Sequence, residues 1–237
     1  METLEEKVSA AAKLIVEAEG QVVAFTGAGI SVESGIPDFR SAGGLWTKYD
    51  PELYCSMDVF EEQPELFWTM AADMATMVRD AKPNPAHRAL HELEKQSLLG
   101  AVVTQNVDNL HQEAGSALVY ELHGNASTSS CRACKERLFT DLSHRSVAVP
   151  CSLGSDVAAA GFSEAVQNAK VLIIIGTSLE VHPAAGLPMI CKARGGHVIV
   201  CNLDTSGESI ADIFLQGTAG TILPRLVAEC AQQRAAL

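Results

Sequence analysis

Residues 27–40 read Gly-Ala-Gly-Ile-Ser-Val-Glu-Ser-Gly-Ile-Pro-Asp-Phe-Arg. They follow residues 21–26, a short apolar run that predicts a buried parallel strand. A strand that turns through Gly27, Ala28 and Gly29 into a helix is a candidate phosphate site. The glycines let backbone N–H groups approach the anion, and the helix presents its positive end. Val32 stands where the full dinucleotide fingerprint needs a third glycine, so this turn alone is equally compatible with a connection that binds nothing.

The residues just beyond this turn favour a ligand. Asp38 can accept a hydrogen bond from a carboxamide, and Phe39 can cover a ring. Arg40 can hold a phosphate or pair with an acidic neighbour. Trp46 is expected to anchor the loop-rich region that follows, and we include it in the predicted cofactor site.

Composition and charge narrow the class of protein. The 237 residues suit one large domain, or one domain with a small insert, and 47% hydrophobic with 19% charged residues is typical of soluble globular proteins. The net charge of −12 argues against nucleic-acid binding and would suit a basic, lysine-rich partner, although ordinary solubility explains it as simply. Residues 1–20 predict neither a signal peptide nor a membrane span, so we expect a cytoplasmic protein without a membrane partner. The seven cysteines are then expected to be reduced thiols or metal ligands.

Short apolar runs alternate with amphipathic segments along most of the chain. Strands are predicted at residues 21–26, 101–104, 119–122, 171–175 and 198–201. Helices are predicted at residues 3–19, 64–80, 85–96, 109–113, 162–169, 183–194 and 221–232. This alternation predicts an α/β fold with a doubly wound, Rossmann-type parallel sheet formed by residues 1–124 and 162–237. Residues 125–161, which hold three cysteines, are predicted to form a small insert.

Polar clusters follow the predicted strands where each one ends. After the first strand these clusters are Gln105, Asn106, Val107 and Asp108; His123; Gly176, Thr177 and Ser178; and Asn202, Leu203 and Asp204. In open parallel sheets, ligands bind at the carboxyl ends of the strands. The sequence therefore predicts one site along this edge, with amides and acids for ribose hydroxyls and a carboxamide.

Together these segments resemble the sirtuins, the NAD-dependent protein deacylases, over nearly the whole chain. The resemblance implies that NAD is the cofactor and that an acetylated lysine in a protein or peptide is the substrate. It implies that Asn106 and Asp108 line a nicotinamide pocket and that His123, in its His-Gly motif, is the catalytic base, with Asn106 also in the catalytic set. It further implies that residues 202–204 hold the adenosine ribose and that Ala219 gives a backbone contact to adenine. Residues 179–183 would pair with the peptide as an added strand.

The reaction implied by the resemblance transfers the acyl group to ADP-ribose. The acyl oxygen of the modified lysine attacks the ribose carbon that bears nicotinamide, and nicotinamide leaves. His123 removes a ribose proton, and the 2′ oxygen takes over the acyl group, which leaves free lysine. Family members that remove acidic acyl groups carry a tyrosine and an arginine where this chain has Ala71 and Met74. Acetyl or a longer apolar acyl group is therefore expected.

The chain departs from the sirtuin pattern in the insert. Most sirtuins hold zinc with two Cys-x-x-Cys pairs, whereas here Cys131 and Cys134 form the first pair and Cys151 stands alone in the second. His144 could complete a Cys₃His site by spacing, but a vestigial knuckle that binds zinc weakly or not at all is the expectation. Residues 155–161 are too short to replace the family's Phe-Gly-Glu strand, which forms one wall of the peptide groove.

Because the groove is shortened, two other functions stay open at this point. One is transfer of ADP-ribose to a protein or to water, and the other is NAD binding without catalysis. The sequence does not indicate the oligomeric state.

Overall fold

The computed structural model describes residues 2–131, 137–139, 151–152 and 158–236; residue 57 and the described residues between 128 and 161 are described by their backbone alone. Within these residues the strands are β1 Val22–Thr26, β2 Ala101–Thr104, β3 Val119–Glu121, β4 Thr128–Cys131, β5 Arg137–Phe139, β6 Cys151–Ser152, β7 Val171–Ile175, β8 His197–Asn202 and β9 Ile213–Gln216. The α-helices are α1 Leu4–Glu17, α2 Pro51–Tyr54, α3 Met57–Glu62, α4 Pro64–Asp80, α5 Pro85–Lys95, α6 Leu110–Ala114, α7 Ala158–Gln167, α8 Leu187–Ala193 and α9 Ala219–Ala235. Short 3-10 helices lie at Ala28–Ser34, Leu45–Thr47, Ala184–Gly186 and Glu208–Ile210. None of the described helices is both long enough and apolar enough to span a membrane.

Six strands form one parallel sheet in the order β3-β2-β1-β7-β8-β9. Strands β2 and β3 lie on one side of β1, and strands β7 to β9 lie on the other. The switch point in strand order is therefore between β1 and β7, which is where doubly wound folds bind their ligands. The predicted Rossmann-type fold is confirmed.

Alternating side chains of the central strands build a core on each face of this sheet. Val22 and Ala24 point into the cluster formed with α1, α5 and α9, whereas Val23 and Phe25 point into the cluster formed with α7 and α8. Burial on both faces explains why the strand reads as a continuous apolar run rather than an alternating one.

Several predicted elements differ from the structure. The segment after the glycine turn is a 3-10 helix rather than an α-helix, and it ends at Gly35, whose φ is +88° and whose left-handed conformation stops the helix two residues before Pro37. The single helix predicted at 183–194 is divided into the 3-10 turn Ala184–Gly186 and α8. The last helix extends beyond the predicted 221–232 at both ends, with Pro224 in its first turns.

Strand β9 was not predicted, because its four residues lie between turns and carry no distinctive alternation. It pairs only with β8 at the edge of the main sheet.

A second sheet of three strands, ordered β5-β4-β6, lies within the predicted insert. Helix α7 begins at Ala158, so it crosses the boundary predicted at residue 161. The division into an NAD-binding domain and an insert remains a prediction, and its second junction, at residue 161, falls inside helix α7.

Candidate active site

The glycine turn after β1 packs directly on the turn after β7. The Gly29 N–H donates to the Gly176 carbonyl at 2.8 Å, and the Gly27 N–H donates to Ile175 O at 3.0 Å. A Cβ atom built on Gly29 would lie 2.6 Å from Gly176 Cα, and Gly176 itself has φ +59°. No side chain fits between these two turns. Their backbone therefore lines the crevice at the carboxyl edge of the sheet, at the switch point between β1 and β7. Ala28, between the two glycines, is half-buried.

A hydrogen-bonded group lies beside this turn, where the residues after β2 meet the 3-10 helix. Ser31 donates its hydroxyl to Asp108 Oδ2 at 2.7 Å, and Asn106 Nδ2 donates to Ser31 Oγ at 3.1 Å. Asp108 is buried and its Oδ1 accepts the Leu110 N–H at 3.0 Å, which also fixes the start of α6. The structure therefore joins predicted residues Asn106 and Asp108 through Ser31, which the sequence analysis did not single out. Val107 is half-buried and uses its carbonyl to accept the Ala126 N–H at 2.9 Å.

Two buried histidines underlie this group. His87 of α5 and His111 of α6 meet edge to face with ring centroids 4.9 Å apart. His111 Nε2 lies 2.9 Å from Thr26 Oγ1, whose hydroxyl donates to Thr104 Oγ1 at 2.8 Å. Burial lowers the pKa of His87 to about 4, although the Asp108 carboxylate acts in the opposite direction, and burial lowers the pKa of His111 to about 3. Both rings are therefore neutral near pH 7.

These histidines were missed because sequence analysis gave a role to His123 alone. His87 follows the N-cap Asn84 by three residues and completes a capping box with it. That spacing was the one signal available, since burial of a histidine does not show in a single sequence.

His123 lies just after β3, at the carboxyl edge of the sheet. Its Nδ1 is 3.0 Å from the Gln105 carbonyl, an acceptor, so Nδ1 carries the proton and Nε2 keeps its lone pair. Partial loss of hydration lowers the pKa of His123, and the bond to Gln105 raises it by less. The ring is oriented by the backbone next to Asn106 and remains accessible, which suits a general base.

The remaining strand-end clusters are also connected. Gln105 Nε2 donates to Thr177 Oγ1 at 2.9 Å, and Asn202 Nδ2 donates to Thr177 O at 3.0 Å. Thr177 is buried and Ser178 half-buried. These bonds join the turns after β2, β7 and β8 into a continuous edge.

Beyond Asn202 the predicted adenosine residues differ in exposure. Leu203 is 71% exposed, and the exposed Asp204 accepts the Ser206 N–H at 2.9 Å. Ala219 is buried at the start of α9. The carboxyl end of β8 is therefore flanked by two exposed residues, Leu203 and Asp204, and by the buried Ala219.

The loop that carries Asp38, Phe39 and Arg40 folds back on itself. Asp38 Oδ1 accepts from the Ser41 N–H at 2.9 Å, and the Phe39 and Trp46 rings lie with centroids 4.8 Å apart. Arg40 Nε lies 2.7 Å from Glu180 Oε2, which follows β7. The Arg40–Glu180 ion pair thus joins this loop to the segment after β7, while Asp38 stabilises its own turn.

The predicted metal ligands lie only partly within the described residues. Cys131 of β4 and Cys151 of β6 are register partners in the small antiparallel sheet. Cys134 and His144 lie outside the described residues. No group of three or more histidine, cysteine, aspartate or glutamate side chains suited to a metal occurs among the residues whose side chains are described.

Comparison with known proteins agrees with this arrangement. The Sir2 family model matches residues 27–183. The NAD-dependent protein deacylase of Pyrococcus furiosus is 43% identical, with 91% of this chain and 95% of the relative covered. A solved Sir2 homologue–NAD complex superimposes with TM-score 0.82 at 36% identity, covering 94% of this chain and 93% of that one. A solved Sir2 protein with a deacetylated p53 peptide and 3′-O-acetyl ADP-ribose gives TM-score 0.81 at 33% identity, covering 92% and 96%. With the glycine crevice, the Asn106–Asp108 group and His123 on one edge of a Rossmann-type sheet, this chain belongs to the Sir2 family, the sirtuins.

Proposed function

We propose that this edge of the sheet binds NAD and uses it to remove acetyl groups from lysine side chains of proteins. The observation that carries the proposal is the placement of His123, with one ring nitrogen fixed by Gln105 O and the other free, beside Asn106. The chain is thus an NAD-dependent protein-lysine deacetylase that releases nicotinamide and an acetylated ADP-ribose.

The crevice fits a dinucleotide. A Cβ atom at Gly29 would strike the backbone of Gly176, so the turns after β1 and β7 pack closely and place main chain, rather than side chains, where a pyrophosphate would bind. The phosphates would be held by the two packed turns, Gly27, Ala28 and Gly29 with Gly176, Thr177 and Ser178. The adenosine would be held by Asn202, Leu203, Asp204 and Ala219. The nicotinamide ribose would be held by Gln105, Asn106, Val107 and Asp108, and this end of the dinucleotide would be covered by Asp38, Phe39, Arg40 and Trp46.

NAD supplies the reactive glycosidic bond, and the protein supplies orientation and a base. Asn106 is held by a bond from its side-chain amide to Ser31 and by a bond from its backbone N–H to Thr104 Oγ1 at 3.0 Å. Because the side chain is already ordered, it loses little conformational entropy when a ligand binds. His123 Nε2 takes a ribose hydroxyl proton, and its lowered pKa keeps it neutral and ready to do so near pH 7.

The acetyl-lysine peptide would lie along residues 179–183, beside Arg40 and Glu180. This segment ends in a cis peptide bond between His182 and Pro183. Val181 is 37% exposed there and offers an apolar contact to an extended peptide.

The experiment is an acetyl-lysine peptide assay with NAD that follows nicotinamide, free lysine and acetylated ADP-ribose together. We expect all three products in equal amounts from the unaltered chain, and a loss of about a hundredfold or more in His123→Ala. His197→Ala is the matched control, because the exposed His197 begins β8 at the opposite edge of the parallel sheet.

Two results would contradict the proposal. One is acetyl removal by His123→Ala at the rate of the unaltered chain. The other is ADP-ribose appearing on protein or in water while the acetyl group stays on lysine.

A further inference from the structure

The carboxylate of Glu33 joins two turns that are far apart in sequence. Glu33 lies near the end of the 3-10 helix that follows the glycine turn. Its Oε2 accepts the Gly220 N–H at 2.7 Å, and its Oε1 accepts the Thr218 hydroxyl at 3.2 Å. One side chain thus connects the segment after β1 with the start of α9.

Helix α9 depends on this carboxylate for its N-terminal cap. Thr218 is the N-cap residue, but its hydroxyl bonds to no backbone N–H of the helix and lies 3.0 Å from the Thr221 hydroxyl instead. The first N–H groups of a helix need acceptors, and a negative charge there is favoured by the helix dipole. Glu33 supplies both from outside the helix, so the bond is charge-assisted.

Gly220 is matched to Glu33 by its lack of a side chain. A Cβ atom at this position would lie 2.6 Å from Glu33 Oε2 and 2.9 Å from its Cδ. Any other residue at 220 would therefore displace the carboxylate. The clamp is the pair Glu33–Gly220 together with the Thr218 hydroxyl.

Both ends of this clamp belong to walls of the crevice. The 3-10 helix starts at the glycine turn, and the turn before α9 is bonded to the end of β8 through Gly217 N–H and Asn202 O at 2.9 Å.

We propose that Glu33 is a positioning residue for the dinucleotide. By clamping the start of α9, Glu33 sets the distance between the glycine turn at residues 27–29, which would hold the phosphates, and the adenosine turn, the turn just before α9 that would hold the adenosine. The inference rests on the proposed NAD site. Without the clamp the adenosine turn is free to move, so binding must first order it, and affinity falls while the chemistry at His123 is unchanged.

The first test measures calorimetric Kd for ADP-ribose and the KM and kcat for NAD. We expect Glu33→Ala to raise Kd and KM by roughly three- to tenfold, with kcat at saturating NAD nearly unchanged. Glu33→Gln keeps one acceptor and should recover part of the loss. Glu229→Ala is the matched control, since Glu229 anchors α9 to α1 through Ser9 at 2.8 Å, away from the crevice; it should leave Kd unchanged.

The second test is a double-mutant cycle with Gly220→Ala. Alone, this substitution should weaken ADP-ribose binding as Glu33→Ala does, because its methyl group displaces the carboxylate. In the Glu33→Ala background it should cost nothing further, since the group it would strike is gone.

The outcomes separate this inference from the proposed function. If the unaltered chain does not bind ADP-ribose, the proposed function is wrong. If it binds but Glu33→Ala is silent, or Glu229→Ala weakens binding equally, or the two substitutions add, then Glu33 is not a positioning residue.

Discussion

At the scale of single residues, His87 and His111 are the least expected feature of the site. Each ring is almost fully excluded from solvent. His111 lies against the Thr26 hydroxyl, and His87 lies against the Ser31 hydroxyl, which is bonded to Asp108. His87 Nδ1 accepts the Asn84 N–H at 3.3 Å, which leaves its Nε2 proton for Ser31, 3.5 Å away. The neutral form of the rings is therefore part of the folded structure.

Acid should weaken this folded state through the two histidines. Their folded pKa values, about 4 and about 3, lie below the 6.5 of an unperturbed ring. The unfolded chain therefore binds more protons below pH 6.5, and their contribution, fully present above that pH, is lost as the pH falls towards 4 and 3. This contribution is about 3 kcal/mol for His87 and about 5 kcal/mol for His111.

Urea unfolding between pH 7.5 and 5 measures this effect. The difference in free energy of unfolding between the unaltered chain and His111→Asn should narrow as the pH falls. A constant difference for His111→Asn would show that this ring does not contribute.

At the scale of elements, the start of α5 holds the cofactor turn in place. Asn84 accepts the Ala86 N–H at 2.8 Å as the N-cap, and its amide donates to Ile30 O at 2.7 Å and to Ser34 Oγ at 3.0 Å. The predicted start of this helix at residue 85 is confirmed. The bonds to the 3-10 helix were not predicted, because they join elements that are distant in sequence.

Asn84→Ala should therefore cost more than the loss of an ordinary cap. We expect about 2–3 kcal/mol, since the Ile30 carbonyl loses its side-chain donor in a buried setting. Asp50→Ala is the matched control, because Asp50 caps α2 through Glu52 N–H at 2.9 Å but is exposed; it should cost about 0.5 kcal/mol. Urea midpoints measure both, and equal losses would contradict this account.

At the scale of the whole molecule, the large sheet carries the candidate active site, and the insert that contains the small sheet has fewer cysteines than a four-cysteine zinc site needs. A closed structural zinc site needs four ligands, and only Cys131, Cys134 and Cys151 are available as thiols within 125–161. The register of β4 and β6 places two of these residues opposite each other. Among the residues whose side chains are described, the core clusters of the large sheet are formed by segments outside 125–161.

We expect elemental analysis of protein purified without chelator to show less than one zinc per chain. Chelator treatment should then leave ADP-ribose binding and the main unfolding transition unchanged. One tightly held zinc per chain, lost in Cys131→Ser, would contradict this expectation.

The sequence by itself determined the alternation of strands and helices, the glycine turn and the polar residues that end each strand. These signals are local: burial on both faces produces apolar runs, and turns need particular residues within a few positions. Tertiary structure alone decided that β9 extends the sheet, that His87 and His111 are buried under the site, and that Glu33 caps a helix 187 residues away. These features depend on which distant segments come together, and a partner's identity leaves no periodic trace in the sequence around either residue.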